Sequence, residues 1–277
     1  NLYEFGLFLK NELADNAQKK IKRSNFYKAN GVLKKLIDIL KDILCNNILP
    51  LKEELTREYQ DAKNNINTAF LSLKNDANIA VDKEIEKFKK EPPIFFSKRV
   101  ERVTGDGDGI LAHSDMTKEL DYESELAIII RKDARNLAPE EVKDYIFGYT
   151  IINDVSARDL QARHHQWFFA KSLDGFAPMG PIILTVDSID YPPHLQVKSY
   201  VNGECRQDDN TKNFIHSIDE LVSLLSQGMT LSAGTIIATG TPSGVGMGFY
   251  PQKFLVPGDE VVCEIEGIGK IKNVVRE

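Results

Sequence analysis

The stretch Leu120–Ile130, "LDYESELAIII", decides how the chain is read. Successive strand residues point to opposite faces, so Glu123 and Glu125 share one face, about 7 Å apart along the chain. Ala127 and Ile129 continue that face, and Leu126, Ile128 and Ile130 fill the other. An apolar run on both faces marks a strand covered on both sides. A carboxylate without a counter-charge is costly there. A positive group is therefore expected between the two glutamates.

Around this strand, 277 residues with 42% hydrophobic and 27% charged residues describe a globular protein long enough to bury a sizeable core. The net charge of −6 gives no reason to expect nucleic acid or an anionic membrane as partner. No uninterrupted apolar run approaches a membrane span, and no signal-peptide pattern opens the chain. Cys45, Cys205 and Cys263 lie far apart without zinc-like or redox spacing, so reduced thiols in a cytoplasmic protein are expected. The chain opens on Asn1 rather than Met, so its natural start is expected elsewhere.

The chain carries two textures. Residues 1–90 hold Gly6 and Gly31 of the 18 glycines, Pro50 of the 11 prolines, and none of the five histidines. Lys and Arg outnumber Asp and Glu there, whereas the reverse holds from residue 91 on. Apolar residues fall at helical spacing at Val32, Leu33, Leu36, Ile37, Leu40, Ile43 and Leu44, and again from Leu51 through Phe88. Two or three amphipathic helices are expected, with Asn30 as an N-cap and Pro50 as a break. We take 1–90 as a helical, lysine-rich region and 91–277 as a separate domain.

From "EPPIFFSKRV" (91–100) onward, short β-rich runs alternate with Gly, Pro, Asn and Asp. "SELAIII", "YIFGYTII", "PIILTV", "QVKSYVNG", "TIIATG" and "EVVCEIEG" are the expected strands. Helices are expected after Pro139 and over "SIDELVSLLSQG", with Ser217 as N-cap, Glu220 completing a capping box and Gly228 as stop. Strict βαβ alternation is absent, so the class expected is α+β with a mixed, largely antiparallel sheet.

"YIFGYTIINDVSARDLQ" (145–161) places a third carboxylate, Asp154, at a strand's end, as a site residue or as the N-cap of a following helix. With Glu123 and Glu125 it makes an oxygen-only donor set that favours Mg²⁺ or Mn²⁺ over zinc. If 154–161 is helical, Arg158 and Gln161 share the face of Asp154, and an arginine fork beside a metal suits a carboxylate-bearing substrate. Lys171 lies in the apolar "FFAKSLDGFAPMGP" and reads equally well as a site residue or a surface lysine. "ATGTPSGVGMG" (238–248) lacks the Lys-Ser/Thr of a nucleotide loop and reads as a turn that lets backbone approach a ligand, with Thr241 offering a hydroxyl. "TGDGDGI" (104–110) puts Ile110 where a calcium loop needs a ligand, so it is a turn. His164 and His165 are adjacent, and one of them could reach a site.

"LDYESELAIII", "GYTIINDVSARDLQ", "QWFFAKSLDGFAPMGP", "YVNGECRQDDNT", "TGTPSGVGMG" and "FLVPGDEVVCEIEGIGKIKN" resemble the fumarylacetoacetate hydrolase family in order and spacing, over roughly residues 91–277. The resemblance implies a mixed β-roll, a homodimer, and Mg²⁺- or Mn²⁺-dependent action on small 2-oxo acids: hydrolysis of a C–C bond in an acylpyruvate, or a related isomerisation or decarboxylation. It implies Glu123, Glu125 and Asp154 as metal ligands, Lys171 as the catalytic lysine, and Arg158, Gln161 and Thr241 as substrate contacts. Family members carry an Asn-Tyr-x-x-His segment followed by Glu upstream of "EPPIFFSK". Here the corresponding stretch is "LKNDANIAVDKEIEKF", and the first histidine of the chain is His113. His164, Asp82 and Glu86 are the groups expected to replace that base. The alternative is a relative that binds metal and 2-oxo acid without turnover, its helical N-terminus an interaction module.

Overall fold

The computed structural model describes residues 26–43 and 59–277. The chain divides into two compact units, residues 1–91 and 92–277.

In the first unit two helices are described, α1 (Phe26–Ile43) and α2 (Tyr59–Lys90). Leu36 of α1 and Ala77 of α2 are buried, whereas Ile37, Leu71 and Ile79 are exposed. Asn30 lies inside α1, whose described residues begin at Phe26, so it does not cap the helix. The expected break at Pro50 and the apolar positions Leu44, Leu51 and Leu55 fall outside the described residues. Asp82 and Glu86 lie within α2.

The second unit is α+β. Its strands are β1 (Gly109–Leu111), β2 (Leu120–Asp121), β3 (Ser124–Ile130), β4 (Ile146–Asn153), β5 (Ser156–Ala157), β6 (Met179–Thr185), β7 (Gln196–Val201), β8 (Glu204–Asn210), β9 (Ile236–Ala238), β10 (Glu260–Ile265) and β11 (Gly269–Arg276). They form a five-stranded sheet in the order β1-β11-β10-β7-β8, a four-stranded sheet β6-β4-β3-β9, and a two-stranded ribbon β2-β5. Every pairing of these strands is antiparallel except β1 with β11. Three helices complete the unit: α3 (Arg158–His164), α4 (Trp167–Ala170) and α5 (Ile218–Ser226).

β7 and β10 alternate buried and half-buried residues, as expected of strands with one face on a core. β3 is buried along nearly its whole length on both faces. Ile128, Ile130, Tyr149 and Ile151 of the β3–β4 pair join Val261, Ile265 and Ile271 of the other sheet in one apolar cluster. This places the polar residues at one end of β3 and β4, where the apolar runs stop.

Two local expectations change. "PEEVKDY" forms a 3₁₀ helix, Pro139–Tyr145, rather than an α-helix. Ser217 caps α5, its Oγ accepting from Glu220 N at 3.1 Å, but the carboxylate of Glu220 turns to His216 Nδ1 at 2.8 Å rather than closing a capping box.

Candidate metal centre

Where β3 begins and β4 ends, three acidic side chains converge. Ser124 pairs with Asn153 and Glu125 with Ile152 in the β3–β4 ladder. Glu123 N donates to Asn153 Oδ1 at 2.9 Å, and Asp154 N donates to Glu123 O at 2.9 Å. These bonds bring Glu123, Glu125 and Asp154, all buried, to where one carboxylate oxygen of each lies within 4.8 Å of the others. Asp154 is not on a helix: Ser156 and Ala157 stay extended to pair with β2, and α3 starts only at Arg158 with Ala157 as its N-cap. The shared helical face expected for Asp154, Arg158 and Gln161 therefore does not exist, and strand ends assemble the site instead.

A positive group does stand beside one of the two glutamates: Lys171, which pairs with Glu123. It follows α4 directly, its side chain is fully buried, and Nζ donates to Asp154 Oδ2 (2.6 Å), Glu123 Oε2 (2.8 Å) and Ser156 Oγ (2.8 Å). The Phe96 ring centroid lies 5.2 Å from the same nitrogen, and Phe96 packs edge-on to Trp167 at 5.1 Å.

Arg158 is also buried. Its Nε donates to Asp121 Oδ2 at 2.9 Å, Nη1 stands 2.7 Å from Glu123 Oε1, and Nη1 reaches Gln161 Oε1 at 3.4 Å. These contacts join Arg158 to Glu123, one of the three converging acids, and to Asp121 and Gln161. Thr241 Oγ1 donates to Ser124 O (3.0 Å) and accepts from Gln207 Nε2 (2.7 Å), while its neighbour Gly240 N donates to Glu125 Oε2 at 2.7 Å. His164 lies exposed at the end of α3 with its ring 5.3 Å from Phe169, and among the described residues it makes no hydrogen bond to the carboxylates.

Two residues of the centre carry no signal in the amino-acid pattern. Asp121, fully buried, accepts from Gly246 N (2.6 Å) and Met247 N (3.0 Å) as well as from Arg158. It ties the glycine-rich loop to Arg158. Lys98 stands 2.7 Å from Asp154 Oδ1 and donates to the carbonyls of Val155 (3.2 Å) and Lys171. It reads as a surface lysine in an irregular run.

Charge tells the three acids apart. Burial would raise Asp154, but Lys171 and Lys98 outweigh it and hold the carboxyl at about 2. Burial, then Asp154 and Glu123, push Glu125 well above the ordinary carboxylate range, and among the described residues no cation pairs with it. Four buried acids (Asp121, Glu123, Glu125, Asp154) thus face three cations (Lys98, Lys171, Arg158). A divalent cation among the oxygens of Glu123, Glu125 and Asp154 answers that shortfall, and an all-carboxylate donor set suits a hard ion.

The fold and the acidic cluster at its strand ends define an α+β protein with a candidate hard-cation centre. The chain belongs to the fumarylacetoacetate hydrolase family: residues 61–276 match the family described as Fumarylacetoacetate (FAA) hydrolase C-terminal. It is 48% identical over 202 residues to the oxaloacetate tautomerase YisK of Bacillus subtilis, covering 73% of this chain and 67% of that protein. Among solved structures it resembles a fumarylacetoacetate hydrolase from psychrophilic Exiguobacterium antarcticum (TM-score 0.67, 47% identity, 70% of each chain). It also resembles a fumarylpyruvate hydrolase from Pseudomonas aeruginosa in complex with Mn²⁺ and pyruvate (TM-score 0.61, 29% identity, 68% of this chain and 80% of that one).

Proposed function

We propose that this protein is a divalent-metal-dependent enzyme, with Mg²⁺ or Mn²⁺ held by Glu123, Glu125 and Asp154, acting on a small 2-oxo acid through its enolate. The observation that carries this reading is Lys171, a fully buried ammonium wedged between two ligand carboxylates. When bound, the cation supplies a Lewis acid for the carboxylate and 2-oxo oxygens of the acid. In keto-to-enol conversion the C–H bond beside the oxo carbon breaks, its proton passes to water or a buffer base, and its electron pair becomes the C=C bond. The oxo oxygen gains the negative charge and then a proton. Decarboxylation instead breaks a C–C bond, releases CO₂ and leaves the enolate of the shortened 2-oxo acid.

Lys171 presents a fixed positive charge to that developing oxyanion from a fully buried position, where such charges act most strongly. Arg158 and Asp121 hold Glu123 in place, and Gln161, less buried than Arg158, is the neighbour we assign to the far end of the substrate. Tautomerisation and decarboxylation need no activated water. Hydrolysis does, and His164 stands exposed without a bond to the carboxylates. Similarity to an oxaloacetate tautomerase supports the same choice. We also propose a homodimer through β6, an edge strand that exposes Ile182 and Ile183.

The test is a panel of oxaloacetate, acylpyruvates and dienoate 2-oxo acids with Mg²⁺ or Mn²⁺. We expect catalysed enol–keto exchange of oxaloacetate that chelator and Lys171→Met abolish, with acylpyruvate hydrolysis slower. No turnover of any panel member overturns the reading. Tight calorimetric binding of oxalate or pyruvate without turnover would establish the second reading, a metal- and ligand-binding relative, which the missing upstream histidine favours.

A further inference from the structure

The segment after Pro92 has no regular secondary structure up to residue 103 and leaves Ile94, Phe95 and Val100 exposed. Yet Lys98, in its middle, keeps only 11% of its side chain exposed and meets three oxygens: Asp154 Oδ1 at 2.7 Å, Val155 O at 3.2 Å and Lys171 O. The two carbonyl contacts are hydrogen bonds and the Asp154 contact is an ion pair. Next to it, Arg99 N donates to Ser172 Oγ at 2.9 Å. The segment is therefore pinned to the two stretches that carry Asp154 and Lys171.

The division of Asp154 is the informative feature. Lys98 faces Oδ1 and Lys171 takes Oδ2, at 2.7 and 2.6 Å. A carboxylate held from both sides cannot rotate, and its second lysine is held through its own backbone carbonyl by the first. Supports of metal ligands are commonly carboxylates or carbonyls, which strengthen metal binding. A lysine does the opposite, since its charge repels the incoming cation.

We propose that Lys98 is a positioning residue: it fixes Asp154 and Lys171 relative to one another and weakens the centre's hold on its divalent cation in exchange for that geometry. This rests on the metal-dependent reading above. The test compares wild type with Lys98→Met by thermal unfolding, with and without Mn²⁺, and by oxaloacetate tautomerase kinetics.

Without metal the variant should melt lower, because Asp154 loses a cation. The upward shift caused by Mn²⁺ should be larger than in wild type, reflecting affinity about tenfold tighter, because Coulomb repulsion from a nearby unit charge is gone. In kinetics, kcat should fall by about 10- to 100-fold, the range typical of lost ligand support, while KM stays close to wild type. Lys98→Gln, which retains an amide donor for the two carbonyls, gives the same comparison if the methionine variant does not fold. Arg99→Ala, removing an exposed ion pair with Asp174, should leave the Mn²⁺ shift unchanged.

An unchanged or smaller Mn²⁺ shift in the Lys98 variants, or an equal gain in Arg99→Ala, overturns the proposal. A wild type that binds Mn²⁺ but turns over none of the acids overturns the proposed reaction and leaves the affinity comparison standing.

Discussion

Asp121 and Arg158, 37 positions apart, meet at 2.9 Å with their side chains almost wholly buried. Asp121 also receives two amides of the glycine-rich loop. Asp121→Asn keeps the shape and removes the charge, leaving Arg158 with one fewer anion. Breaking a buried pair in this way costs about 3–5 kcal/mol. Urea denaturation of the metal-free protein should show a loss of this order, and an effect under 1 kcal/mol would mean that the pair contributes no net stability.

The three proposed metal ligands should not respond alike to neutralisation. Each of Glu123→Gln, Glu125→Gln and Asp154→Asn should lower Mn²⁺ affinity, read by calorimetry. Metal-free stability should separate them. Glu123 and Asp154 each pair with lysine or arginine, so their amides should destabilise. Glu125→Gln removes the one carboxylate without a paired cation and should stabilise. A lower melting temperature for metal-free Glu125→Gln would contradict this assignment.

The same argument fixes a pH dependence. Glu125 has a folded pKa raised above its ordinary 4.5, so its contribution to stability is fully present below 4.5 and is lost as pH rises through the folded value. The melting-temperature advantage of Glu125→Gln over wild type, without metal, should be near zero at about pH 4.5 and grow toward neutrality. A difference that is flat across this range would show that Glu125 titrates like an exposed acid.

Gly244 and Gly258 test contact against backbone strain. Both adopt positive φ, +111° and +97°, which side chains rarely tolerate. A Cβ on Gly244 would meet Arg206 O at 1.9 Å, whereas one on Gly258 meets nothing within 4 Å. Gly258→Ala should cost about 1–2 kcal/mol, the backbone term alone. Gly244→Ala should cost clearly more in the same denaturation assay and weaken Mn²⁺ binding, since this loop bonds Asp121 and Glu125. Equal costs at the two positions would remove the role given to close packing.

Two of the thiols differ in accessibility. Burial pushes Cys263 up to about 12, while Cys205 is exposed. Brief alkylation of the native protein followed by peptide mapping should label Cys205 and spare Cys263. Prompt labelling of both would indicate that β10 opens readily.

The parts of this architecture legible in the sequence are those with local causes. β3, β4, β7 and β10 follow from apolar runs bounded by turn residues, and the carboxylates of Glu123 and Glu125 follow from period two and the cost of burying unpaired charge. Lys171 carried no such signal and stood out through family resemblance. Asp121 and Lys98 escaped because their partners lie far along the chain: 125 positions from Asp121 to Gly246, and 73 from Lys98 to Lys171. The helix after Asp154 is present but begins only at Arg158, because Ser156 and Ala157 pair with β2, also a nonlocal partner.

The only parallel pairing of the unit's named strands joins its first strand to its last, with Gly109 opposite Val274 and Asn273 donating to Asp108 O across 165 positions. During synthesis, β1 has no neighbour until Gly269–Arg276 has left the ribosome. Pairings of such sequence separation close late and slowly. The five-stranded sheet therefore stays incomplete until its last strand is made, a state in which aggregation competes with folding.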